Sequence, residues 1–151
     1  MKPVEKFGFV VICCENLERS LHFYQDLLGL RLTNSYESVN KPENVRYHEQ
    51  LFNIPNLNYK TARLESRNGI GVELVQYLNP PSKPRPREWN LTDVGFIRLA
   101  FQVEDVNTKY EELTKEGVKF LNTPARRPTG GGNVMALDPD GNIIPLPQPA
   151  P

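Results

Sequence analysis

The sequence predicts an α+β protein built from two copies of one strand–helix–strand module. Residues 9–32, FVVICCENLERSLHFYQDLLGLRL, alternate along a first strand and then place apolar side chains at helical spacing. Residues 98–121, RLAFQVEDVNTKYEELTKEGVKFL, repeat this order of patterns. One repeat of this length indicates two similar modules rather than a stack of short units.

Each predicted helix has a residue that begins it and a glycine that ends it. Asn16 and Asp105 can accept a hydrogen bond from a free amide of the first turn, and Gly29 and Gly117 can take the left-handed conformation that ends a helix. The caps lie 89 residues apart (105 − 16) and the glycines 88 apart (117 − 29). The predicted apolar faces consist of Leu17, Leu21, Tyr24 and Leu28 in the first helix and Val106, Tyr110 and Leu113 in the second.

The rest of the first module, residues 5–78, is predicted to hold a short helix and two more strands. The helix covers about residues 45–52 and is stopped by Pro55. Residues 58–65 and 70–78 alternate as strands around the turn at Asn68–Gly69. Together with the strand that restarts after Gly29, the module is therefore one strand, one helix and three strands.

Residues 79–94 contain four prolines and are predicted to be a linker, with a motif for a proline-binding partner as the alternative. The second module, residues 95–148, ends in a hairpin around Asp138–Gly141. The three glycines at 130–132 suggest a flexible loop at the mouth of a pocket. We expect the tail, residues 147–151, to be disordered or loosely packed.

Composition excludes several classes of function. Lys+Arg and Asp+Glu balance at 18 each, so the chain has no basic field for nucleic acid. It also has no apolar run long enough to span a membrane and no signal peptide, which predicts a cytoplasmic protein. Cys13 and Cys14 are adjacent in a strand, so they should point to opposite faces and stay reduced.

Four segments carry a family resemblance: NLERSLHFYQDLLGL, GVELVQY, FQVEDVNTKYEEL and LDPDGNIIPL. In this order and spacing they resemble the vicinal oxygen chelate superfamily, which includes glyoxalase I, methylmalonyl-CoA epimerase, extradiol dioxygenases and the bleomycin-resistance proteins. The resemblance extends over residues 7–148. It implies a single domain, residues 1–151, in which two βαβββ modules form half-barrels around a cavity. It also implies a homodimer.

In metal-dependent members of this superfamily four side chains project into the cavity as ligands. The resemblance places those positions at Phe9, Glu73, Arg98 and Pro145. Phenylalanine and proline cannot coordinate a metal, and arginine has no free lone pair at neutral pH. One carboxylate cannot hold a divalent ion tightly, so we expect neither a metal nor another cofactor.

Strand alternation predicts which side chains face the cavity. Glu73 and Arg98 are expected to form an ion pair where a metal would have been, because buried charges need partners. Arg63 or the remaining donors of Arg98 can then bind a carboxylate or phosphate. The alternative is that the Glu73–Arg98 pair is only structural and closes the barrel. The predicted substrate-binding residues are Phe9, Tyr59, Arg63, Tyr77, Phe96 and Gln102. The other predicted cavity residues are Val11, Cys13, Thr61, Val75, Ala100, Val134, Ala136 and Ile143.

Three functions remain open at this point. The first is a metal-independent lyase or isomerase acting on a small carbonyl or carboxylate compound, with Glu73 or His48 moving a proton and Arg98 stabilising an oxyanion. The second is a protein that binds an aromatic or drug-like molecule without catalysis. The third is a metalloenzyme with atypical ligands, Glu73 and His48. In each case the partner is a small molecule, anionic or aromatic, and His22 is a surface residue.

Overall fold

A computed structural model describes residues 7–84, 94–95 and 98–151. The chain divides into two compact units, Met1–Arg85 and Pro86–Pro151. Phe96 and most of the second half of the predicted linker lie outside the described residues. The predicted boundaries at 5–78, 79–94 and 95–148 stay predictions.

The first unit contains the predicted order of one strand, one helix and three strands. Its strands are β1 Phe9–Cys13, β2 Arg31–Glu37, β3 Asn58–Glu65 and β4 Gly71–Asn79. They form one sheet in the order β1-β4-β3-β2. The β1–β4 pair is parallel, and the other two pairs are antiparallel. Alternation along β3 and β4 located both strands to within one residue.

Helix α1, Leu17–Leu21, continues into a π-helical segment, His22–Leu27. The Asn16 side chain accepts from the amide of Arg19 at 2.9 Å, as a cap should. The buried residues are Leu17, Ser20, Phe23 and Tyr24, whereas Leu21 and Leu28 of the predicted face are only half-buried. The wider π turn changes which side chains face the sheet, and this spacing is not visible in a 3.6-residue pattern.

Helix α2, Pro42–Phe52, follows a short 3₁₀ turn, Ser38–Asn40. It begins three residues before the predicted start, because a proline suits the first turn of a helix. It ends at Asn53, whose φ of 54° is left-handed. No residue of this helix is buried. Its attachment to the sheet therefore depends on few contacts.

The second unit contains helix α3, Val106–Lys115, and four short strands: β5 Ala125–Arg126, β6 Gly132–Asn133, β7 Met135–Leu137 and β8 Ile143–Pro145. Asp105 caps α3 by accepting from the amide of Thr108 at 2.7 Å. Gly117 follows the helix with a φ of 78°. Both predicted caps and both predicted glycine stops are thus confirmed.

The second unit repeats the strand order of the first. Segment 98–103 lies parallel to β8, since the amide of Phe101 donates to the carbonyl of Pro145 at 3.0 Å. Strand β8 pairs with β7, and β7 pairs with segment 119–121 through the Leu121 amide and the Met135 carbonyl, 2.9 Å apart. The order is again first, fourth, third and second strand of a module.

A glutamine in the last strand of the first unit, and another just after the last strand of the second, each bind the start of their own unit's helix. Gln76 Oε1 accepts from the amide of Leu17 at 2.9 Å. Gln148 Oε1 accepts from the amide of Val106 at 3.1 Å. In both helices this amide belongs to the first residue after the cap, which has no partner within the helix.

The glycine loop and the tail differ from the expectation. Gly131 and Gly132 are buried, and Gly132 and Gln148 exchange two backbone hydrogen bonds of 3.1 and 2.9 Å. A Cβ on Gly131 would lie 2.5 Å from the carbonyl oxygen of Gln148. These glycines are therefore needed for close backbone packing. The predictions of a flexible loop and a loose tail are wrong for these residues.

The predicted facing of β7 is also wrong. Met135 pairs with Pro145 and Leu137 with Ile143, so these four residues share one face. Val134 and Ala136, which were expected beside Pro145, are fully buried on the other face. A slip of one residue in the assumed register moves every side chain of a strand to the opposite face.

Two simpler expectations can be compared directly with the structure. Cys14 is buried and Cys13 is exposed, so adjacent cysteines do face opposite ways. Within the ranges that the structure describes, no helix has the length and apolar character needed to cross a membrane.

Candidate functional site

The candidate site lies on one face of the first unit's sheet. Val11 pairs with Glu73, and Arg63 pairs with Glu73 from the other side. Tyr59 pairs with Tyr77 in the same way. We call the surface that these strands share the Glu73 face; it consists of Phe9, Val11, Cys13, Tyr59, Thr61, Arg63, Glu73, Val75 and Tyr77.

The opposite face of this sheet is the core of the unit. Ala62, Leu64, Val72 and Leu74 alternate with the residues of the Glu73 face and are fully buried. Helix α1 contacts β3 and β4, and it is bound to Gln76, which belongs to this opposite face. The Glu73 face is therefore the side of the sheet that α1 leaves uncovered.

Glu73 is held by two neighbours on β3. Thr61 Oγ1 donates to Glu73 Oε1 at 3.0 Å. Arg63 Nη1 lies 3.7 Å from Glu73 Oε2. The Glu73 side chain is 23% exposed and the Arg63 side chain is 32% exposed. The carboxylate is thus fixed and charge-balanced but still accessible.

The guanidinium of Arg63 also lies over the ring of Phe9. Its Cζ is 3.9 Å from the ring centroid, which is a cation–π contact. Gly71 leaves room for this arrangement, because a Cβ there would lie 3.1 Å from both Arg63 Nη2 and Phe9 Cβ. Arg63 therefore contacts both residues of this unit that the resemblance assigns to metal-ligand positions.

The sequence anticipated an ion pair between Glu73 and Arg98. The structure gives Glu73 a partner within its own unit, Arg63. Arg98 is an exposed residue of the second unit that pairs with Ile143. Its pairing with Glu73 stays a prediction, as do the roles of Arg98 and the exposed Gln102 in a site. Phe96 lies outside the described residues.

His48 and Tyr59 meet beneath α2. His48 Nδ1 is 2.6 Å from the Tyr59 hydroxyl oxygen, and the Tyr36 hydroxyl is 3.3 Å from the same atom. His48 also stacks on Phe52, with ring centroids 5.5 Å apart. Tyr59 is only 3% exposed, so it forms a small core with Leu57 and Val75 rather than an open binding surface.

Burial raises the pKa of Tyr59, and the hydrogen bond with Tyr36 raises it further. Burial likewise raises the pKa of Tyr77, with smaller contributions from Cys13 and Glu73. Both phenols therefore stay protonated at neutral pH and can act as hydrogen-bond donors.

Three contacts near this face were not anticipated from the sequence. The hydroxyl of Tyr36 contacts the hydroxyl of Tyr59. A bulge between Leu32 and Asn34 interrupts the alternation of β2, so the face on which Tyr36 lies could not be predicted. Ser82 Oγ accepts from the amide of Tyr77 at 2.9 Å and lies 3.4 Å from Cys13 Sγ. Gly71 begins β4 where a side chain would displace Arg63. The contacts of Tyr36, Cys13 and Gly71 depend on neighbouring strands, which a local pattern does not contain.

A cleft of about 480 Å³ opens elsewhere in the first unit, beside the start of α1. Three of its polar side chains already have partners: Lys60 is 2.9 Å from Glu37, and Gln76 binds the amide of Leu17. We therefore place the candidate site on the Glu73 face, where a fixed carboxylate and a cation are both accessible.

The residues do not fit the divalent metal that the resemblance implies. Phe9 and Pro145 have no donor atoms, and Arg98 is a cation. Across residues 7–84, 94–95 and 98–151, no group of three or more His, Cys, Asp or Glu side chains could hold a metal ion. His48, the proposed second ligand of an atypical site, is already engaged with Tyr59.

Comparison with known proteins agrees with the fold. The family model for the Glyoxalase/Bleomycin resistance protein/Dioxygenase superfamily matches residues 6–146. A protein named glyoxylase I 4, from Arabidopsis thaliana, is 26% identical over 140 residues, which cover 91% of this chain and 67% of the relative.

Two solved structures show the same architecture. A glyoxalase family protein from Bacillus cereus superposes with a TM-score of 0.85 at 20% identity, covering 97% of this chain and 95% of that one. Glyoxalase I from Zea mays gives 0.68 at 21% identity, and the match covers 95% of this chain but only 44% of the maize protein. Because the family model covers nearly the whole sequence, this chain belongs to the Glyoxalase/Bleomycin resistance protein/Dioxygenase superfamily.

Proposed function

We propose that this protein is a metal-independent enzyme of the lyase or isomerase type that acts on a small carbonyl or carboxylate compound at the Glu73 face. One observation carries the proposal: the guanidinium of Arg63 is held between Phe9 and Glu73. A permanent positive charge thus lies beside a fixed carboxylate, and that carboxylate occupies one of the positions where the resemblance expects a metal ligand.

This pair of groups suits proton transfer at a carbon next to a carbonyl. Glu73 would take the proton from carbon, and the electrons of the broken C–H bond would move onto the carbonyl oxygen as an enolate. Arg63 would stabilise the negative charge that develops on that oxygen. In a 2-hydroxy carbonyl compound, the hydroxyl proton would pass to the enolate oxygen, and Glu73 would return its proton to the former carbonyl carbon, so that the carbonyl group and the hydroxyl group exchange places. Thr61 would keep the carboxylate in position through its hydrogen bond to Oε1.

We assign His48 a supporting role in place of the predicted proton shuttle. Its Nδ1 is engaged with Tyr59, which is buried under α2. Its contribution would be to hold α2 against the edge of the site.

The test is hydrogen–deuterium exchange at carbon, because it detects proton abstraction before the substrate is known. A panel of small aldehydes, 2-oxo acids and 2-hydroxy ketones is incubated with the protein in D₂O, and loss of C–H signals is followed by ¹H NMR. We expect exchange with the wild-type protein. Glu73→Gln should slow it by at least roughly 100-fold, the usual contribution of a general base. Glu37→Gln, an exposed glutamate paired with Lys60, is the matched control.

A second arm tests metal independence. Exchange should be the same before and after extensive treatment with EDTA. Wild-type exchange rates in Glu73→Gln, or activity that chelation removes and a divalent metal restores, would overturn the proposal. Ligand binding without exchange for any compound would instead support the binding-protein alternative.

A further inference from the structure

We propose that Arg63 is a carboxylate-binding residue, and that the ligand of the Glu73 face is a small monoanion that presents a carboxylate to its guanidinium. This inference rests on the proposed location of the site, and it specifies the class of ligand.

The donors of Arg63 are available. A guanidinium has five N–H donors in a rigid fork, and among the residues that the structure describes no hydrogen bond to this guanidinium is found. The contact with Glu73, at 3.7 Å, is an ion pair longer than a hydrogen bond. The side chain is 32% exposed, so a ligand can reach it. A half-buried cation with unused donors can bind an anion without breaking a bond already present.

The orientation of Arg63 is fixed before any ligand arrives. The ring of Phe9 supports one side of the guanidinium at 3.9 Å, and Glu73 holds one of its nitrogens. Gly71 adds a steric requirement, since a Cβ at this position would press on Nη2 and on Phe9. A planar fork that is already oriented loses little entropy on binding, and its geometry matches the two oxygens of a carboxylate.

The local charge favours a monoanion over a dianion. Arg63 and Glu73 together are neutral, so a dianion would face one carboxylate with only one cation to balance it. Two other cations of the same sheet have partners of their own, and one of them, Lys60, lies on the opposite face beside Gln76. Arg31 is bound to Glu65 at 2.7 Å, and Lys60 to Glu37 at 2.9 Å. A phosphate dianion therefore has less to gain here than a carboxylate.

The experiment follows the Nε–H signal of Arg63 in ¹H–¹⁵N NMR titrations of the full chain. Pyruvate is the monoanionic probe, pyruvamide is its neutral counterpart, and methyl phosphate at pH 8 is the dianion. We expect pyruvate to shift this signal in a saturable way. Pyruvamide and methyl phosphate should bind at least about tenfold more weakly, the loss that follows from one charge-assisted hydrogen bond.

Three variants test the residue itself. Arg63→Lys keeps the charge but loses the fork, and it should weaken pyruvate binding by at least about tenfold. Gly71→Ala should weaken it similarly without changing any group that touches the ligand, because it displaces the guanidinium. Arg31→Lys is the matched control, an exposed and already paired arginine of the same sheet, and it should leave affinity unchanged. In all three variants, pyruvate binding is followed through the NMR signal of the Glu73 backbone amide.

The outcomes separate this proposal from the proposed reaction. Failure of pyruvate to bind the wild-type protein, equal affinity for pyruvamide or methyl phosphate, or unchanged affinity in Arg63→Lys would overturn it. Arg63-dependent binding of pyruvate without any proton exchange would sustain the carboxylate site while removing the catalytic role of Glu73.

Discussion

The Nδ1 atom of His48 lies 2.6 Å from the hydroxyl oxygen of Tyr59, and this hydrogen bond fastens α2 to the sheet. No residue of α2 is buried, and Tyr47 and Leu51 are exposed by more than half. A second polar contact holds the helix to the chain just before β3: Glu49 Oε1 accepts from the amide of Leu57 at 3.1 Å. A helix held in this way depends on individual hydrogen bonds more than on apolar burial.

Tyr59→Phe should therefore loosen α2. The change leaves His48 and Tyr36 without their shared partner, so we expect the free energy of unfolding to fall by about 1–3 kcal/mol. Hydrogen exchange should accelerate at the amides of residues 42–52 and remain slow in β3 and β4. Tyr47→Phe, an exposed tyrosine of the same helix, is the control and should change neither quantity. Equal protection of α2 in both variants would show that this hydrogen bond does not hold the helix.

The raised pKa values of Tyr59 and Tyr77 predict loss of stability at alkaline pH. An unfolded tyrosine ionises near pH 10. Above that pH the unfolded chain loses its phenolic protons before the folded protein does, so the folded state binds more protons and stability falls as pH rises. The stabilisation is complete below about pH 10 and disappears as the pH passes through the raised values.

This alkaline titration can be followed by absorbance at 295 nm. The tyrosines at 59 and 77 should ionise above pH 10 in the native protein, whereas the six tyrosines of the chain should titrate together near pH 10 in denaturant. Tyr59→Phe should remove part of the late phase. A single transition near pH 10 in the native protein, with no late phase, would contradict the assignment.

Gly131→Ala should destabilise the second unit more than Gly141→Ala. Both glycines have left-handed φ values, 70° and 82°, so both substitutions carry about 1–2 kcal/mol of backbone strain. Only at Gly131 does the new Cβ meet backbone atoms, 2.5 Å from the carbonyl oxygen of Gln148. Chemical denaturation should show the larger loss for Gly131→Ala. Equal losses of stability in the two variants would mean that residues 147–151 shift to make room for the new Cβ at no cost in free energy.

Gln148→Leu and Gln76→Leu should each weaken the start of one helix. Each removes an acceptor from an otherwise unpaired amide, at a cost of about 1–3 kcal/mol. Faster hydrogen exchange is expected at Val106 for the first variant and at Leu17 for the second. Gln→Glu at either position keeps the acceptor oxygen and should preserve protection. If the leucine variants exchange as slowly as the wild type, another group caps these amides.

Local patterns predicted the elements that depend on local chemistry. Asn16, Asp105, Gly29 and Gly117 all occupy the helix ends that their conformational preferences indicated. The alternation along β3 and β4 was long enough to predict the bounds of both strands and the side chains that they contribute to the Glu73 face. Elements whose shape depends on contacts between distant segments were predicted less well.

The errors have a common physical origin. The facing of Val134 and Ala136 depends on register with β8, and a strand of three residues specifies register weakly. The π-helical turn after Leu21 and the cover of α2 over Tyr59 are likewise set by tertiary packing. In the candidate site, Glu73, Arg63 and Phe9 could be predicted to share a face, whereas the contact of Arg63 with both of the others could not.

The paired glutamines, Gln76 and Gln148, bear on how such a protein can acquire new chemistry. Because each unit anchors its own helix with a glutamine in or just after its own last strand, the anchor of each helix is encoded within the same half of the gene. Mutations that replace metal-coordinating residues on one sheet can therefore accumulate without unfolding the other half of the protein. In a duplicated architecture of this kind, the residues of one half can change while the other half keeps its original sequence and fold.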